Sequence, residues 1–316
     1  MAEKILDKRM AKVEKSQSNG KPKNRLEILK TYKIYIGGKF PRTESGRFYS
    51  PENGNKEKLA NVCLSSRKDF REAVVAARNA QGDWSSRAAF NRGQILYRIA
   101  EMLEGRKAQF IEELIKQDAT KEEAENEVLL SIDRLIYYAG WCDKFQQLYS
   151  TVNPVASSHF NFSTPEPTGV VGILAPQDTS LLGLISVIAP VIAGGNTCIV
   201  LASFNRPLCA VTFAEVLNSS DVPGGVVNIL TGKMAELASY FAEHMDVNAL
   251  VFCEKDAETQ KMIQEKASMN LKRVILFNKI NWQSGNGQSP YMIMDTQEIK
   301  TTWHPIENIG GAKAGY

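Results

Sequence analysis

The chain has 316 residues, of which 43% are hydrophobic and 23% are charged, a composition typical of a globular protein and not of a disordered or fibrous one. No apolar run approaches the roughly 20 residues that cross a bilayer, so the sequence predicts no membrane-spanning segment. The formal net charge of +3 and five scattered cysteines without a CxxC motif argue against a nucleic-acid-binding body, a metal site and a disulfide scaffold.

The N-terminal residues 1–31 form a predicted basic leader or linker. Residues 1–32 hold nine Lys and Arg against four Asp and Glu, a net charge of +5, which leaves −2 for the rest of the chain. No aromatic side chains alternate with these charges, which favours a solvated linker over a nucleic-acid-binding tail. The leader has acidic residues and no apolar stretch of the signal-peptide type, so the sequence predicts a cytoplasmic protein with reduced thiols.

Residues 32–149 are predicted to be the N-terminal helical part of a cofactor-binding-type domain. A turn at Gly37–Gly38 closes a first hairpin arm, since glycine allows positive φ. Apolar residues then recur at helical spacing over residues 68–80, 90–116 and 121–145. The residues predicted to face inward on the third of these helices are Val128, Ile132, Leu135, Ile136 and Ala139.

Residues 150–169 predict a protruding β-hairpin. Two short alternating runs lie on either side of residues 154–158, and the segment ends in Pro-Glu-Pro. Proline is tolerated at sheet edges and not in central strands, so this segment does not suit a core strand.

Residues 170–290 predict a Rossmann-like, doubly wound α/β domain with a parallel sheet. Short β-branched runs alternate with helical stretches, as in sheets that are buried on both faces. The predicted strands are VVGILA, TCIVLA, VVNIL, ALVF and RVILF, and the predicted helices are 181–193, 207–218, 234–243 and 256–269. YMIM, at residues 291–294, is predicted to be one last short strand.

Five segments of the chain follow one another in the order and spacing of a known family. Any one of them is weak evidence, whereas the ordered set, over about residues 33–290, is specific. Through this set the chain resembles the aldehyde dehydrogenase superfamily, whose members bind NAD(P) on a Rossmann-like domain and oxidise aldehydes through a cysteine thioester. The segments are IGGKF, GDWSSRAAFNRGQILYRIAEMLEGRKAQF, EPTGVVGILAPQDTSLLGLISVIAPVIAGGNT, DVPGGVVNILTGK and NLKRVIL.

The loop after the first strand of this domain is where the resemblance implies an oxyanion donor. Family members usually read Pro-Trp-Asn there, and the aligned residues are Pro176, Gln177 and Asp178. An ionised carboxylate only accepts hydrogen bonds, so Asp178 would repel a developing oxyanion, and losing one such donor costs about 10²–10³ in rate. We predict that Asp178 caps the following helix, with a new general base as the alternative.

The family's cofactor ligands are also replaced at the aligned positions. The resemblance aligns the ribose-binding Lys-Pro-Ser-Glu motif with Leu201 to Phe204. It places Glu254 at the glycine of Phe-Thr-Gly-Ser, where the backbone of the family approaches the pyrophosphate. Gly232 remains from the glycine set. The resemblance therefore implies that no cofactor is bound, with NAD(P) kept as the alternative.

The family's catalytic groups are not found at the expected positions. The general-base Glu of Glu-Leu-Gly-Gly aligns with Phe277, and no cysteine follows Cys253. A strand similar to the family's C-terminal strand follows instead at residues 299–303. The resemblance therefore implies a degenerate member whose catalytic domain is missing, most like the C-terminal half of the two-part family-16 aldehyde dehydrogenases.

The parts with which the family assembles are retained in the sequence. The resemblance implies an oligomerisation hairpin at 150–169 and a C-terminal oligomerisation strand and tail at 291–316. The residues predicted to form these contacts are Val155, Phe160, Phe162, Ile299, Thr301 and Trp303. We therefore predict a non-catalytic subunit, a pseudoenzyme, that assembles with a full-length aldehyde dehydrogenase paralogue or with itself, and that stabilises or regulates an active partner.

The alternative is a residual or repurposed NAD(P)-dependent aldehyde dehydrogenase or other oxidoreductase. Such an enzyme would use Asp178, Cys253 and Glu254. A buried cysteine at a strand end is more often structural, and no histidine lies near Cys253 in the sequence. The three histidines are too dispersed to predict a catalytic triad or a metal site.

Overall fold

A five-stranded parallel sheet forms the centre of the fold, and two three-stranded sheets accompany it. The computed structural model describes residues 28–306, so most of the predicted leader and the end of the predicted tail lie outside the described residues. In chain order the strands are β1 Thr31–Tyr32, β2 Phe48–Tyr49, β3 Asn61–Cys63, β4 Thr151–Asn153, β5 His159–Pro167, β6 Val170–Leu174, β7 Thr197–Leu201, β8 Val227–Leu230, β9 Ala249–Phe252, β10 Arg273–Leu276 and β11 Gln297–Pro305. The helices are α1 Arg67–Ser86, α2 Ala89–Gly105, α3 Lys107–Lys116, α4 Lys121–Trp141, α5 Phe145–Tyr149, α6 Leu182–Ala193, α7 Leu208–Asn218, α8 Met234–Glu243, α9 Ala257–Ser268 and α10 Tyr291–Met294.

The central sheet has the strand order β10-β9-β6-β7-β8, and every neighbouring pair is parallel. Since β7 and β8 lie on one side of β6 while β9 and β10 lie on the other, the strand order reverses between β6 and β9. This is the doubly wound α/β topology, in which ligands bind at the carboxyl ends of the strands beside the reversal. The predicted fold class is confirmed.

Two helical layers bury the central sheet on both faces. One face packs against α6 and α7 and, beyond them, against α2, α3 and α4. The other face packs against α1, α8 and α9. No residue of β6 or β7 is exposed, which explains why these strands read as continuous apolar runs without polar alternation.

Two long helices begin at capping boxes that the sequence encodes. Ser66 Oγ accepts a hydrogen bond from the Asp69 N–H at 3.3 Å, and Asp69 accepts one from the Ser66 N–H at 2.7 Å. Thr120 and Glu123 form the same pair of bonds at 3.2 and 2.9 Å. Each box satisfies donors that a helix start leaves unpaired, which fixes where α1 and α4 begin.

The predicted hairpin at 150–169 consists of β4 and β5, which pair antiparallel. The other edge of β5 pairs antiparallel with β11 over nine residues, from Gln297 opposite Pro167 to Pro305 opposite His159. The strand predicted at 299–303 is therefore the middle of β11, and it joins the hairpin in one three-stranded sheet.

The six residues predicted as oligomerisation contacts do not share one face of this sheet. Phe162 lies opposite Thr302 and Phe160 opposite His304, whereas Trp303 lies opposite Asn161. Since successive side chains of a strand point to opposite faces, the two phenylalanines lie on one face and the β11 residues Ile299, Thr301 and Trp303 on the other. Val155 lies in the turn between β4 and β5.

The predicted strand YMIM is wrong, because these residues form α10. The Asp295 N–H donates to the Tyr291 carbonyl at 2.9 Å, and Pro290 at the helix start has a φ of −64°. Proline before a short apolar run presets this helical φ, whereas periodicity over four residues does not separate a helix from a strand.

Three predictions in the helical part also need correction. Residues 90–116 form two helices, because Arg106 leaves the helical conformation with φ −113° and ψ 9°. The helix predicted over 121–145 ends at Trp141. Ile136, predicted to face inward, is 44% exposed, whereas Val128, Ile132 and Leu135 are buried as predicted.

The predicted turn at Gly37–Gly38 is confirmed. Both glycines have positive φ, and Ile36 and Lys39 exchange two backbone hydrogen bonds of 3.0 Å across the turn. Among the described residues, no helix is long and apolar enough to span a lipid bilayer.

Candidate functional site

The candidate site lies at the carboxyl end of the central sheet, beside the reversal between β6 and β9. Gln177, in the loop after β6, connects it with the loops after β7 and β9. The Gln177 N–H donates to Glu254 Oε1 at 2.7 Å, and Gln177 Oε1 accepts from the Phe204 N–H at 2.7 Å. Ser203 Oγ donates to the Gln177 carbonyl at 3.1 Å. We call this set of bonds between Gln177, Ser203, Phe204 and Glu254 the Gln177 latch.

The role of Gln177 as a bridge between loops is not predicted from the sequence. A side-chain amide carries both donors and acceptors, so it can bridge loops that each end in unpaired backbone groups. Gln177 Nε2 also donates to the carbonyl of Ala175, which closes its own loop at 3.1 Å. A glutamine in the loop that follows a sheet strand could have indicated this role, because the loops at the same end of neighbouring strands lie side by side.

The prediction that Asp178 caps the following helix is wrong. Asp178 is exposed, and no side-chain cap is contributed from the residue that precedes α6. Instead Glu127 Oε1, from the middle of α4, accepts hydrogen bonds from the N–H groups of Ser180, Leu181 and Leu182 at 3.2, 2.8 and 3.1 Å. A buried carboxylate satisfies the N–H groups at the helix start and complements the positive end of the helix dipole, so Asp178 is not needed there.

Aromatic rings lie where the resemblance placed the ribose ligands. The Phe204 ring stacks on Tyr49 of β2 with ring centroids 4.4 Å apart and an interplanar angle of 15°. The Tyr49 hydroxyl donates to the Phe204 carbonyl at 3.2 Å, and burial raises the pKa of that phenol. Leu201, at the end of β7, is fully buried and contributes to the core. These residues fill the region with their own contacts.

Gly232 is not close to the reversal. It follows β8, which is the edge strand on the far side of β7 from β6. A Cβ at Gly232 would approach the backbone nitrogen of Ser65 to 3.4 Å. That distance is an ordinary contact, whereas the φ of 156° at Gly232 is a conformation that other residues rarely adopt, so the backbone favours glycine there.

The thiol and the carboxylates at this edge are poorly suited to nucleophilic chemistry. Burial raises the pKa of the Cys253 thiol well above its ordinary value, and the carboxylates of Glu254 and Asp178 raise it further. Burial also raises the pKa of Glu254, while the hydrogen bond from the Gln177 N–H opposes that shift. A thiol beside two acidic groups remains protonated at neutral pH, and the thiol is a much weaker nucleophile than the thiolate.

Phe277, at the carboxyl end of β10, packs against a second aromatic residue. Its N–H continues the pairing with β9 by donating to the Phe252 carbonyl at 2.9 Å. Its ring meets Trp282 edge-on, with centroids 6.4 Å apart, and Trp282 is only 3% exposed. The packing role of Trp282 is not predicted from the sequence.

Arg134 fixes the loop that contains Trp282. The loop runs over residues 277–290 between β10 and α10, and the buried guanidinium of Arg134 donates to the carbonyls of Trp282 and Gly287 and to Ser186 Oγ. Burial lowers the pKa of Arg134, but a guanidinium stays protonated in proteins. A charged side chain on α4 thus folds the loop back onto the helical layer.

Within residues 28–306, no cluster of three or more His, Cys, Asp or Glu side chains could hold a metal ion. His159 and His304 lie on β5 and β11, and His244 follows α8. The structure thus brings together Gln177, Phe204 and Glu254. What the edge offers chemically is two carboxylates, a protonated thiol and stacked aromatic rings.

The sequence model described as "Aldehyde dehydrogenase family" matches residues 41–304. The chain is 30% identical over 275 residues to the "Putative aldehyde dehydrogenase DhaS" of Bacillus subtilis, an alignment that covers 85% of this chain and 53% of that protein. It is 32% identical over 264 residues to the "Cytosolic 10-formyltetrahydrofolate dehydrogenase" of Mus musculus, which covers 80% of this chain and 29% of that protein. The chain therefore spans about half, or less, of the length of these relatives.

A solved structure has the same fold. It is titled "NAD+ complex structure of aldehyde dehydrogenase from bacillus cereus", and it superposes with a TM-score of 0.73 and 24% sequence identity. The superposition covers 78% of this chain and 50% of that chain.

Proposed function

Because this chain belongs to the aldehyde dehydrogenase family, we propose that it is a non-catalytic member that assembles with an active aldehyde dehydrogenase and stabilises or regulates it. The observation that carries this proposal is a contrast between two parts of the molecule. The chain's own side chains bridge the loops at the carboxyl end of the central sheet, whereas the three-stranded sheet of β11, β5 and β4 leaves apolar side chains exposed.

The residues at the carboxyl end do not fit a dinucleotide. Close approach of a phosphate needs glycine in the loop and free backbone N–H groups at a helix start. The loop after β9 instead carries Glu254, whose carboxylate already holds the Gln177 N–H, and Glu127 takes the N–H groups at the start of α6. A phosphate would therefore meet a carboxylate at one loop and occupied donors at the other. For this reason we propose that the chain binds no NAD(P).

The positions that the resemblance assigns to catalysis do not suit acyl transfer either. Asp178 cannot donate a hydrogen bond to an oxyanion when it is ionised. Phe277 cannot accept a proton from water, and its ring packs on Trp282. Both substitutions support a member without activity of its own.

The three-stranded sheet supports assembly. It carries exposed apolar side chains on both faces, including Phe160 at 46% and Trp303 at 57% exposure. β4 and β11 are the edge strands of this sheet. Edge strands offer unpaired backbone groups to another chain. We propose that this sheet contacts the active partner or a second copy of this chain.

Native mass spectrometry of the chain isolated under mild conditions from its own cells tests the proposal. We expect a complex whose mass includes a second, longer chain and whose preparation oxidises aldehydes. A mass that is an integer multiple of 35.1 kDa would contradict hetero-assembly and leave only self-association.

Single substitutions show whether the three-stranded sheet carries the contact. Phe160→Asp and Trp303→Asp alter opposite faces of that sheet, and Phe90→Asp, on α2, is a control of similar exposure. We expect at least one of the two sheet variants to lose the partner while the control keeps it. Retention of the partner by both sheet variants would place the contact elsewhere.

The alternative is a residual or repurposed NAD(P)-dependent oxidoreductase. The observation that favours it is the fold, which the chain shares with a structure titled as an NAD+ complex. Calorimetric titration with NAD+ and NADP+ distinguishes the two functions. Saturable binding would require that the Gln177 latch leaves a cofactor cleft open at the carboxyl end of the sheet. We expect no saturable heat from the wild-type chain.

A further inference from the structure

The two edges of the central sheet differ in whether another segment of the chain pairs with them. At the β8 edge, Tyr35 and Ile229 exchange two backbone hydrogen bonds of 2.9 and 2.8 Å, so a segment of this chain lies along that edge. At the other edge, β10 pairs with β9 and, within the described residues, with no other strand. An unpaired edge strand offers a row of backbone donors and acceptors.

The register identifies the free backbone groups of β10. The Phe277 N–H donates to the Phe252 carbonyl, so Phe277 directs its backbone groups toward β9. Backbone groups in a strand point alternately to its two sides. Val274 and Leu276 therefore direct their N–H and C=O groups away from β9.

A groove runs along this free edge. Its volume is about 550 Å³, and all residues from Arg273 to Phe277 form one wall. The opposite wall consists of Met294, Asp295, Gln297 and Ile299, from the end of α10 and the start of β11. The groove is thus as long as the strand and has a second wall, as a site for an extended segment requires.

The polar groups of the second wall accept hydrogen bonds. Gln297 is 3% exposed, and its Nε2 donates to the Gly194 carbonyl at 3.2 Å, but its Oε1 has no hydrogen-bond partner among the described residues. Asp295 adds a half-buried carboxylate, whose pKa burial raises and the nearby Arg273 guanidinium lowers. The nearby cation, Arg273, is already engaged with the carbonyls of Asp295 and Gln297 and with Glu298.

These observations define what fits the groove. The outward carbonyls of β10 have no strand partner among the described residues, so an occupant must bring N–H groups to them. A carboxylate that is half removed from water favours a cationic side chain beside it. Strand addition to an exposed sheet edge supplies the backbone donors along with alternating side chains.

We propose that the β10 edge is a docking site for an extended protein segment that carries a lysine or arginine, which adds to the central sheet as a sixth strand. Its backbone pairs with Val274 and Leu276, and its cationic side chain reaches Asp295. This inference goes beyond the proposed function and does not depend on it, because it concerns an edge of the central sheet and not the catalytic state of the chain.

A synthetic probe tests the site. The probe is a capped, fluorescein-labelled hexapeptide, Thr-Val-Lys-Val-Thr-Val, and the measurement is fluorescence polarisation against the full chain. We expect saturable binding that weakens about tenfold when N-methyl groups are placed on one alternate set of amides and changes little when they are placed on the other set. Absence of saturable binding, or equal weakening by the two methylated series, would overturn the proposal.

Two variants of the protein locate the binding. Val274→Pro removes an outward N–H without touching the pairing with β9, and proline is tolerated on edge strands, so we expect about tenfold weaker binding. Asp295→Asn should weaken binding of the lysine peptide but not of a peptide with norleucine in its place. If Asp295→Asn weakens both peptides equally, the assignment of the cationic contact is wrong, and unchanged binding to Val274→Pro would place the peptide elsewhere. The methylated peptides keep the test decisive even if the proline variant does not fold.

Discussion

The carboxylate of Glu127 links two helices that are far apart in the sequence. It is 7% exposed and accepts three N–H groups at the start of α6, and each hydrogen bond to a charged group contributes on the order of 1.5–3 kcal/mol. Because α6 begins directly after the loop of Gln177, the same carboxylate also fixes the position of the Gln177 latch.

We expect Glu127→Ala to lower the free energy of unfolding by about 4–5 kcal/mol, because three N–H groups and the helix dipole lose their partner. The measurement is urea denaturation followed by circular dichroism. Asp178→Ala is the matched control, and since Asp178 is exposed we expect a change within about 0.5 kcal/mol. A larger loss for Asp178→Ala than for Glu127→Ala would restore the helix cap that the sequence alone predicts.

At the level of elements, the loop of residues 277–290 depends on one glycine. A Cβ at Gly287 would lie 2.6 Å from the Trp282 carbonyl oxygen and 2.8 Å from Arg134 Nη1, which are backbone and buried neighbours that cannot move easily. Tyr138 also holds this loop, since its hydroxyl bonds to the backbone of Ser289.

Gly287→Ala should therefore displace the loop and expose Trp282, while Gly285→Ala, which meets nothing within 4 Å, should not. We expect a red shift of tryptophan emission and faster acrylamide quenching for the first variant. The same spectrum for both variants would show that the loop does not depend on this close approach.

Helix α8 ends on a buried lysine from another segment. Lys272, just before β10, donates to the carbonyls of Phe241, Ala242 and His244 at 3.0, 2.7 and 2.9 Å. A cation at a helix C-terminus satisfies the last carbonyls and complements the dipole. Burial lowers the pKa of Lys272 to about 8.

This shift predicts a pH dependence of stability. Between pH 8 and about 10.5, the unfolded chain holds the Lys272 proton while the folded chain has lost it, so stability rises with pH over that window. We expect Lys272→Met to lower the free energy of unfolding by about 2 kcal/mol at pH 7, and the gap to wild type to widen from pH 8 to 10. Lys261→Met, at an exposed lysine, is the control. A gap that narrows over this range in urea titrations would contradict the predicted sign.

For the molecule as a whole, the reactivity of the five cysteines indicates whether the core is closed to solvent. All five are free and buried, and they are distributed over both helical layers of the central sheet. Burial raises the pKa of Cys142 to about 12 and also raises that of Cys198. Thiols of this kind are protonated and shielded in the folded state.

We therefore expect a thiol reagent at pH 7 to modify the chain only as fast as it unfolds, and to modify all five cysteines in urea. The measurement is the mass of the modified chain over time. Rapid modification of one cysteine in the folded chain would contradict a closed core, and if Cys253→Ser abolished that reaction, the opening would lie at the Gln177 latch.

The sequence predicted the fold because its signals lie within short windows. Continuous β-branched runs, helical periodicity and the turn at Gly37–Gly38 each depend on residues a few positions apart, so they are readable without coordinates. The residues aligned with the family's cofactor and catalytic motifs, Phe204, Glu254 and Phe277, follow or end predicted strands, and in the structure they lie just beyond β7, β9 and β10.

What these residues do was decided by tertiary structure. Glu127 caps a helix that begins more than 50 residues later, Gln177 joins three loops, and Arg134 holds carbonyls about 150 residues away. No local pattern encodes such partners, because a side chain chooses them by proximity after the helices and the sheet have packed. The sequence by itself therefore determined the elements, their order and the positions of the replaced groups, and only packing in three dimensions determined that those groups close the edge of the sheet.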